Sequence, residues 1–141
     1  MAIKIFLDTN IILDVFDNKR IFHSDSTALY HLIENGAIVA FVTESVLTTT
    51  DYVLQKLMQK QTRQMIFADL NNLVRILPCI QQHFQTAFLT DFDDLEDVLL
   101  HQIALANKVD YFVSNDKALN KKLSSVLLPV ISSKGLLKIL G

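Results

Sequence analysis

Five apolar runs along the chain predict buried β-strands, and stretches with apolar residues at helical spacing separate them. The first run extends from Ile3 to Leu7 and ends at Asp8. The later runs are residues 37–42, 74–77, 111–113 and 126–130. Strands that alternate with helices are typical of a parallel sheet with helices on its faces. The pattern therefore predicts an α/β protein, a three-layer α/β/α sandwich with a central, mainly parallel sheet of about five strands.

Capping and turn residues set the predicted limits of the helices. Asn10 is the predicted N-cap of a first helix whose apolar residues lie between Ile11 and Phe16, so Asp14 and Asp17 are interpreted as helix-surface and turn residues. The other predicted helices cover residues 24–35, 61–73, 81–89 and 94–107. Further helices are predicted after Thr43, where apolar positions continue to Met58, after Asp116, and after Ser132 or Ser133.

Composition favours a single domain, residues 1–141, because 50% of the residues are hydrophobic and can form a sizeable core. No apolar run reaches the roughly 18 residues of a membrane-spanning helix. The N-terminus lacks the pattern of a secretory signal, and Cys79 is the only cysteine. We therefore expect a cytoplasmic protein without a membrane contact. A net charge of −2 excludes a strongly basic nucleic-acid binder, so such contacts need a local positive patch or metal ions.

Several carboxylates occur where predicted strands end. Asp8 follows the first strand and Asp116 comes soon after the strand that begins at Tyr111. Because ligands of open α/β sheets bind beyond the carboxyl ends of the strands, these two acids are candidate site residues. Each could instead be a helix N-cap or a surface acid paired with a helix dipole. Glu44 opens the helix after the second strand at the same edge, and Asp51, two turns further on, could also point inward.

A second group of acids begins the helix predicted over residues 94–107. Asp94 and Asp97 are three residues apart, so both carboxylates can share one helix face. The helix dipole sufficiently explains an acid at Asp94. It explains Asp97 less well, because Leu95, Val98 and Leu99 make the neighbouring face apolar. Asp97 is therefore the stronger candidate for a functional carboxylate.

Three or four carboxylates would then converge with no lysine or arginine obviously placed to neutralise them. Such groups repel one another and raise each other's pKa, and a hard cation such as Mg²⁺ or Mn²⁺ relieves the repulsion. Other acid motifs are absent. Asn10 stands where a haloacid-dehalogenase phosphatase needs its second Asp, Asp8 lacks the neighbouring acid of a receiver domain, and Glu96 stands where an EF-hand loop needs Gly.

Three segments together resemble the PIN-domain ribonucleases, the family of the VapC-type toxins of bacterial toxin–antitoxin pairs, over nearly the whole chain. The segments are Leu7-Asp8-Thr9-Asn10-Ile11-Ile12-Leu13-Asp14, then Asp94-Leu95-Glu96-Asp97-Val98-Leu99, and Val113-Ser114-Asn115-Asp116-Lys117. The resemblance implies a PIN-like fold in which Asp8, Asp97 and Asp116 are catalytic and bind Mg²⁺ or Mn²⁺, with Asp94 as an accessory acid. It also implies that Thr9, Asn10 and Ser114 orient ligands or phosphate.

The chain departs from the family pattern at its second acid. That acid lies in the helix after the second strand, and alignment on Thr43 places Thr49 there, which has no carboxylate. Glu44, as a catalytic acid, or Asp51, as an accessory one, could replace it. Alternatively, three acids hold the metal without a fourth.

The resemblance implies a Mg²⁺- or Mn²⁺-dependent endoribonuclease that hydrolyses RNA phosphodiester bonds and acts as the toxin of a toxin–antitoxin pair. Its implied partners are an RNA substrate, a cognate antitoxin protein and a second copy of the chain in a homodimer. The candidate RNA contacts are Lys56, Lys60, Arg63, Lys117, Lys121 and Lys122. The alternative is a degenerate PIN module that binds RNA or a protein without cutting. An activity on structured DNA is a weaker possibility, because the short chain has no room for insertions that would clamp a duplex.

Overall fold

The computed structural model describes residues 2–141, which form five strands and eight helices. The strands are β1 (Ile3–Leu7), β2 (Ile38–Thr43), β3 (Val74–Leu77), β4 (Tyr111–Val113) and β5 (Val130–Ile131). The helices are α1 (Thr9–Phe16), α2 (His23–Glu34), α3 (Glu44–Leu54), α4 (Lys60–Leu73), α5 (Gln81–Leu89), α6 (Leu95–Ala106), α7 (Lys117–Leu123) and α8 (Ser133–Leu140). All strands are parallel, in the order β3-β2-β1-β4-β5.

The centre of the sheet is buried on both faces, which confirms the predicted sandwich. Ile5, Phe6 and Leu7 of β1 alternate between the two faces, yet none exposes more than 1% of its surface. Phe6 stacks on Phe112 of β4, with 5.1 Å between ring centroids. Among the helices, α1 packs against α2 and α3 and α2 packs against α8, whereas α6 packs against α5 and α7. Burial of these apolar side chains is the main stabilising contribution to the fold.

The strand order reverses next to β1. The chain runs outward from β1 through β2 to β3, and then returns to place β4 and β5 on the other side of β1. Such a reversal opens a crevice beyond the carboxyl ends of the strands, and this is where ligands bind in open α/β sheets. Asp8 directly follows β1 and Asp116 soon follows β4, so the topology brings both acids to this crevice.

Three predicted boundaries are wrong. Asn10 does not cap α1, because Asp8 is the N-cap and accepts a hydrogen bond from Thr9 N at 2.8 Å. The helix after Thr43 ends at Leu54, and the following turn allows Arg63 of α4 to contact Asp51. The last strand is only Val130–Ile131, because the residues before it form a turn. In this turn, Ser125 Oγ accepts a hydrogen bond from Leu128 N at 3.1 Å.

The sequence predicted Asp14 to be a surface residue of the helix. This prediction is wrong, because only 2% of Asp14 is exposed. Its Oδ1 accepts a hydrogen bond from Arg20 Nε at 2.8 Å, and its Oδ2 accepts from Ser26 Oγ at 3.2 Å and Asn115 Nδ2 at 3.1 Å. A buried carboxylate is tolerated when it is paired and hydrogen-bonded in this way. The sequence contained no clear signal for this burial, since Asp14 lies one turn after the exposed Asn10 on the same face of α1, and its buried partners come from distant segments.

Asn115 extends the contacts of Asp14 to the last helix. Its Nδ2 donates to Ser133 Oγ at 3.1 Å, and its Oδ1 accepts from Ser133 N at 3.0 Å. This polar network, made of the buried Asp14, Ser26 and Ser133 and the half-buried Asn115, joins α1, α2, the segment before α7 and the start of α8. It therefore fixes the backbone on both sides of Asn115, including Asp116.

Within residues 2–141, each helix is too short or too polar to cross a lipid bilayer.

Replacement of Asp14 by Ala should lower the free energy of unfolding by about 3 kcal/mol, because buried donors on Ser26 and Asn115 lose their acceptor and Arg20 loses its partner. Urea unfolding followed by circular dichroism measures this change. The control is Asp69→Ala on the exposed face of α4, which should change stability by no more than about 0.5 kcal/mol. Equal effects of the two substitutions would contradict a structural role for the network.

Candidate active site

Asp8 lies at the junction of β1 and β4 and is only 8% exposed. Its Oδ1 accepts a hydrogen bond from Thr9 N at 2.8 Å, and its Oδ2 accepts one from Ser114 Oγ at 2.9 Å. Ser114 Oγ in turn accepts a hydrogen bond from Asp116 N at 3.1 Å. Ser114 therefore links Asp8 to the backbone of Asp116, and the two acids are held at a fixed separation.

Asp94 and Asp116 are both helix N-caps. Asp94 Oδ1 accepts hydrogen bonds from Glu96 N at 2.9 Å and Asp97 N at 3.3 Å at the start of α6. Asp116 Oδ1 accepts hydrogen bonds from Ala118 N at 2.9 Å and Leu119 N at 3.3 Å at the start of α7. Capping uses one oxygen of each carboxylate, so a capping role and a second role are compatible here.

The electrostatics show that these acids share one region. The pKa of Asp97 is raised to about 7, first by burial and then by the charges of Asp94, Asp8, Glu96 and Asp116. Burial also raises the pKa of Asp8, against the lowering effect of its hydrogen bonds from Ser114 and Thr9, and the charge of Asp116 adds to the increase. Mutual repulsion of this kind arises only between charges that are close together.

Glu96 is a member of this group that the sequence did not single out. Burial raises its pKa, and the charges of Asp94 and Asp8 raise it further. It is the second residue of α6, so once Asp94 is known to be the N-cap, Glu96 and Asp97 both fall in the first turn beside the crevice. The capping pattern of Asp94 could have indicated this position.

In the described part of the chain, no lysine, arginine or histidine forms an ion pair with Asp8, Asp94, Glu96, Asp97 or Asp116. Arg20 pairs with Asp14, and Lys122 pairs with Asp93, which raises the pKa of Lys122, while the charge of Asp116 adds to this increase. The acidic cluster, as we call those five residues, therefore has no ion-pair partner in the described residues, and most of its negative charge is uncompensated. Uncompensated carboxylate oxygens are the ligands that hard divalent cations prefer.

The cluster fits a cation in its donor chemistry, but its side chains are not yet arranged around one. Among residues 2–141, no three acidic, histidine or cysteine side chains already stand close enough to hold an ion together. In the same residues, Oδ2 of Asp94, Oδ2 of Asp116 and both oxygens of Asp97 accept no hydrogen bond. These oxygens could therefore turn towards an ion. Thr9 Oγ1 beside Asp8 is buried and also has no partner in that range.

Three of the other predicted site residues lie in different surroundings. Glu44 lines a separate cavity formed with Ile76 and Cys79, which contains none of the other candidate acids. Asp51 pairs with Arg63 at 2.9 Å and also accepts a hydrogen bond from Gln55. Asn10 accepts a hydrogen bond from Arg20 at 3.0 Å. The structure therefore brings together Asp8, Asp94, Asp97 and Asp116 of the predicted acids, but not Glu44 or Asp51.

The comparisons with known proteins agree with this fold. The sequence model of the family described as PIN domain matches residues 4–118. Ribonuclease VapC1 of Aquifex aeolicus (strain VF5) is 28% identical over 120 residues, which are 82% of this chain and 83% of that protein.

Two solved structures have a similar fold. A chain of VapBC2 from Rickettsia felis, bound to a DNA fragment from its promoter, aligns with a TM-score of 0.67 and 16% identity, over 92% of this chain and 98% of that one. VapC20 of Mycobacterium tuberculosis, a toxin that cleaves the sarcin–ricin loop, aligns with a TM-score of 0.66 and 14% identity, over 83% and 93% of the two chains.

Without divalent metal, the melting temperature of wild-type protein should fall relative to Asp97→Asn as the pH rises from about 4 to about 7, and it should stay lower above that range. The pKa of Asp97 is about 7 in the folded protein against 3.8 for the free side chain, so ionisation costs stability over that range and the cost is complete above the folded value. Thermal unfolding in EDTA at several pH values measures the difference.

The matched control for this pH effect is Asp69→Asn, which removes an exposed carboxylate of α4 far along the chain from the cluster. Its melting temperature should follow that of the wild type at every pH. A constant difference between Asp97→Asn and wild type would show that Asp97 carries no such electrostatic cost.

Proposed function

The chain belongs to the PIN-domain family, and from this premise we propose that it is a divalent-metal-dependent endoribonuclease, the toxin of a toxin–antitoxin pair. The observation that carries the proposal is the acidic cluster at the carboxyl ends of β1 and β4, which no basic side chain of the described residues neutralises. The similarity to ribonuclease VapC1 supports RNA as the substrate.

Asp8, Asp97 and Asp116 are the proposed ligands of Mg²⁺ or Mn²⁺. Asp8 is fixed by Ser114 and by Thr9 N, and Asp116 is fixed by its capping bonds, so both offer oxygens on a rigid support. When bound, the cation would supply positive charge that stabilises the negative charge developing on the phosphate during hydrolysis. Ser114 acts as a positioning residue in this proposal, because its hydroxyl orients Asp8 without needing to contact the substrate.

We propose that Glu96, rather than Glu44 or Asp51, replaces the missing second acid of the family. Thr49 has no carboxylate, and Asp51 is already paired with Arg63. Glu96 is influenced by the charges of both Asp8 and Asp94, whereas Glu44 lines a different cavity. Asp94 remains an accessory acid that caps α6 and directs the first turn towards the site.

The partners of the proposed toxin are a cognate antitoxin and a second copy of the chain. The solved structure of VapBC2, which has a similar fold, is described as bound to a DNA fragment from the promoter of that pair, and this supports a cognate antitoxin here. Helix α5 has an exposed apolar face, formed by residues that are four positions apart. They are Ile80, the N-cap of the helix, with Phe84 and Phe88, and each exposes 45–50% of its surface. Such a contiguous apolar face supports contact with another protein. Light scattering of the purified chain, alone and co-expressed with the product of an adjacent small gene, tests both partners.

Asp8→Asn should lower the rate of Mg²⁺- or Mn²⁺-dependent RNA cleavage by roughly 100-fold or more, because it removes a charged ligand from the metal. The fold should remain, since the amide oxygen can still accept the bond from Thr9 N and the amide nitrogen can donate to Ser114 Oγ in place of the bond that Oδ2 accepted. Gel analysis of a labelled RNA, together with circular dichroism of the variant, measures both effects. Undiminished cleavage would overturn the site, and tight RNA binding without cleavage by wild type would favour the non-catalytic alternative.

Glu96→Gln and Glu44→Gln form a matched pair that decides which acid replaces the family's second one. Each exchange removes one negative charge from the first turn of a helix, α6 or α3, while it keeps the size of the side chain. Glu96→Gln should lower metal-dependent cleavage by about tenfold or more, and Glu44→Gln should leave it within about twofold of wild type. The reverse order would assign the fourth acid to Glu44.

A further inference from the structure

A cavity of about 380 Å³ opens beside the acidic cluster, between the start of α6 and α7. Asp97 and Asp116 form one part of its wall, so it is continuous with the proposed metal site. Asp91, Asp93 and Asp94 also line the cavity, and the apolar part of its lining includes Phe92, Leu119 and Leu123. The volume falls within the usual range of small-ligand sites, roughly 300 to 1,000 Å³. The proposed phosphodiester chemistry needs only the acids, so this apolar part has no role in it.

Lys122 is the only basic side chain that lines this cavity within the described residues. It lies in the last turn of α7 and forms an ion pair with Asp93, in the segment that precedes α6. Both side chains are largely exposed, 59% for Lys122 and 77% for Asp93. Exposed ion pairs of this kind are weak, so an anion that enters the cavity can take the lysine from Asp93.

The remaining lining of the cavity suits a nucleobase better than another anion. Phe92 is 40% exposed and presents an aromatic ring at the wall, next to the aliphatic side chains of Leu119 and Leu123. Aromatic side chains bind unpaired bases by stacking, regardless of their sequence. A ligand with only a carboxylate or a phosphate would leave this apolar surface without a contact. The carboxylates of the lining repel any anion, so a nucleotide phosphate can enter only when the proposed cation offsets the charge of Asp97 and Asp116.

We propose that this cavity is a nucleotide subsite, which takes one unpaired nucleotide of the RNA next to the cleaved bond. Its phosphate binds Lys122 in exchange for Asp93, and its base packs on Phe92. The base must be unpaired, because a base inside an A-form duplex cannot leave the stack to reach an aromatic ring. This inference rests on the proposed ribonuclease function and names the kind of RNA that it acts on.

The test is the dissociation constant of a short, unstructured, fluorescein-labelled RNA, measured by fluorescence anisotropy in Ca²⁺. Lys122→Gln should weaken binding by about tenfold, whereas Lys138→Gln, in the last turn of α8 and outside the cavity, should change it by less than about twofold. Phe92→Ala should also weaken binding, by about fivefold or more. A duplex RNA of the same length should not respond to Phe92→Ala.

Asp93→Asn separates a binding role of Lys122 from a structural one. If Lys122 waits for phosphate, Asp93→Asn frees it and removes a negative charge, so RNA should bind several-fold more tightly. If the ion pair only stabilises the segment before α6, then Asp93→Asn and Lys122→Gln should both weaken binding, and the subsite is wrong. Lys122→Arg keeps the positive charge and should restore most of the affinity.

The subsite and the proposed function can fail separately. Wild-type protein that binds and cleaves RNA while Lys122→Gln and Lys138→Gln behave alike would overturn the subsite and leave the ribonuclease standing. Wild-type protein that neither binds nor cleaves any RNA in the presence of Mg²⁺ or Mn²⁺ would overturn both.

Discussion

Repulsion between carboxylates that the chain does not neutralise is the constraint on which the site depends. Asp8, Asp97 and Asp116 lie where the strand order reverses. Burial, followed by the charges of Asp94, Asp8, Glu96 and Asp116, raises the pKa of Asp97 to about 7. This arrangement costs folding energy, since ionised acids in one partly buried region disfavour the compact state. A protein retains such a cost where a function needs it, and charge that only an added cation can neutralise is a means of binding that cation.

The rest of the fold holds these acids in place against their repulsion. Ser114 joins Asp8 to the backbone of Asp116. The residue between Ser114 and Asp116, Asn115, is fixed by hydrogen bonds with Asp14 and Ser133. Consecutive residues of one short segment thus serve three purposes: orientation of one acid, attachment to the core, and presentation of a second acid. Helix N-termini at α6 and α7 add positive partial charge beside the cluster, which offsets part of the repulsion.

Much of this was accessible from the sequence, because strand ends and capping residues are local signals. The runs before Asp8 and before Asp116 predicted both strands and placed the two acids at the same edge of the sheet. Pairing between distant side chains was not accessible. Asp51 could be excluded only once Arg63 was seen beside it, and the ion pair of Lys122 with Asp93 joins residues that no spacing rule connects. Asp14 was misplaced for the same reason, because its buried partners come from distant segments.

The most direct test of the account is a calorimetric titration of the wild-type protein with Mn²⁺, with Asp97→Asn as its control. Neutralisation of the cluster by a bound cation predicts saturable binding to wild type, a release of protons near neutral pH from Asp97, and much weaker binding to Asp97→Asn. Binding of equal strength to both proteins, or none to wild type at millimolar Mn²⁺, would contradict a metal site at these carboxylates.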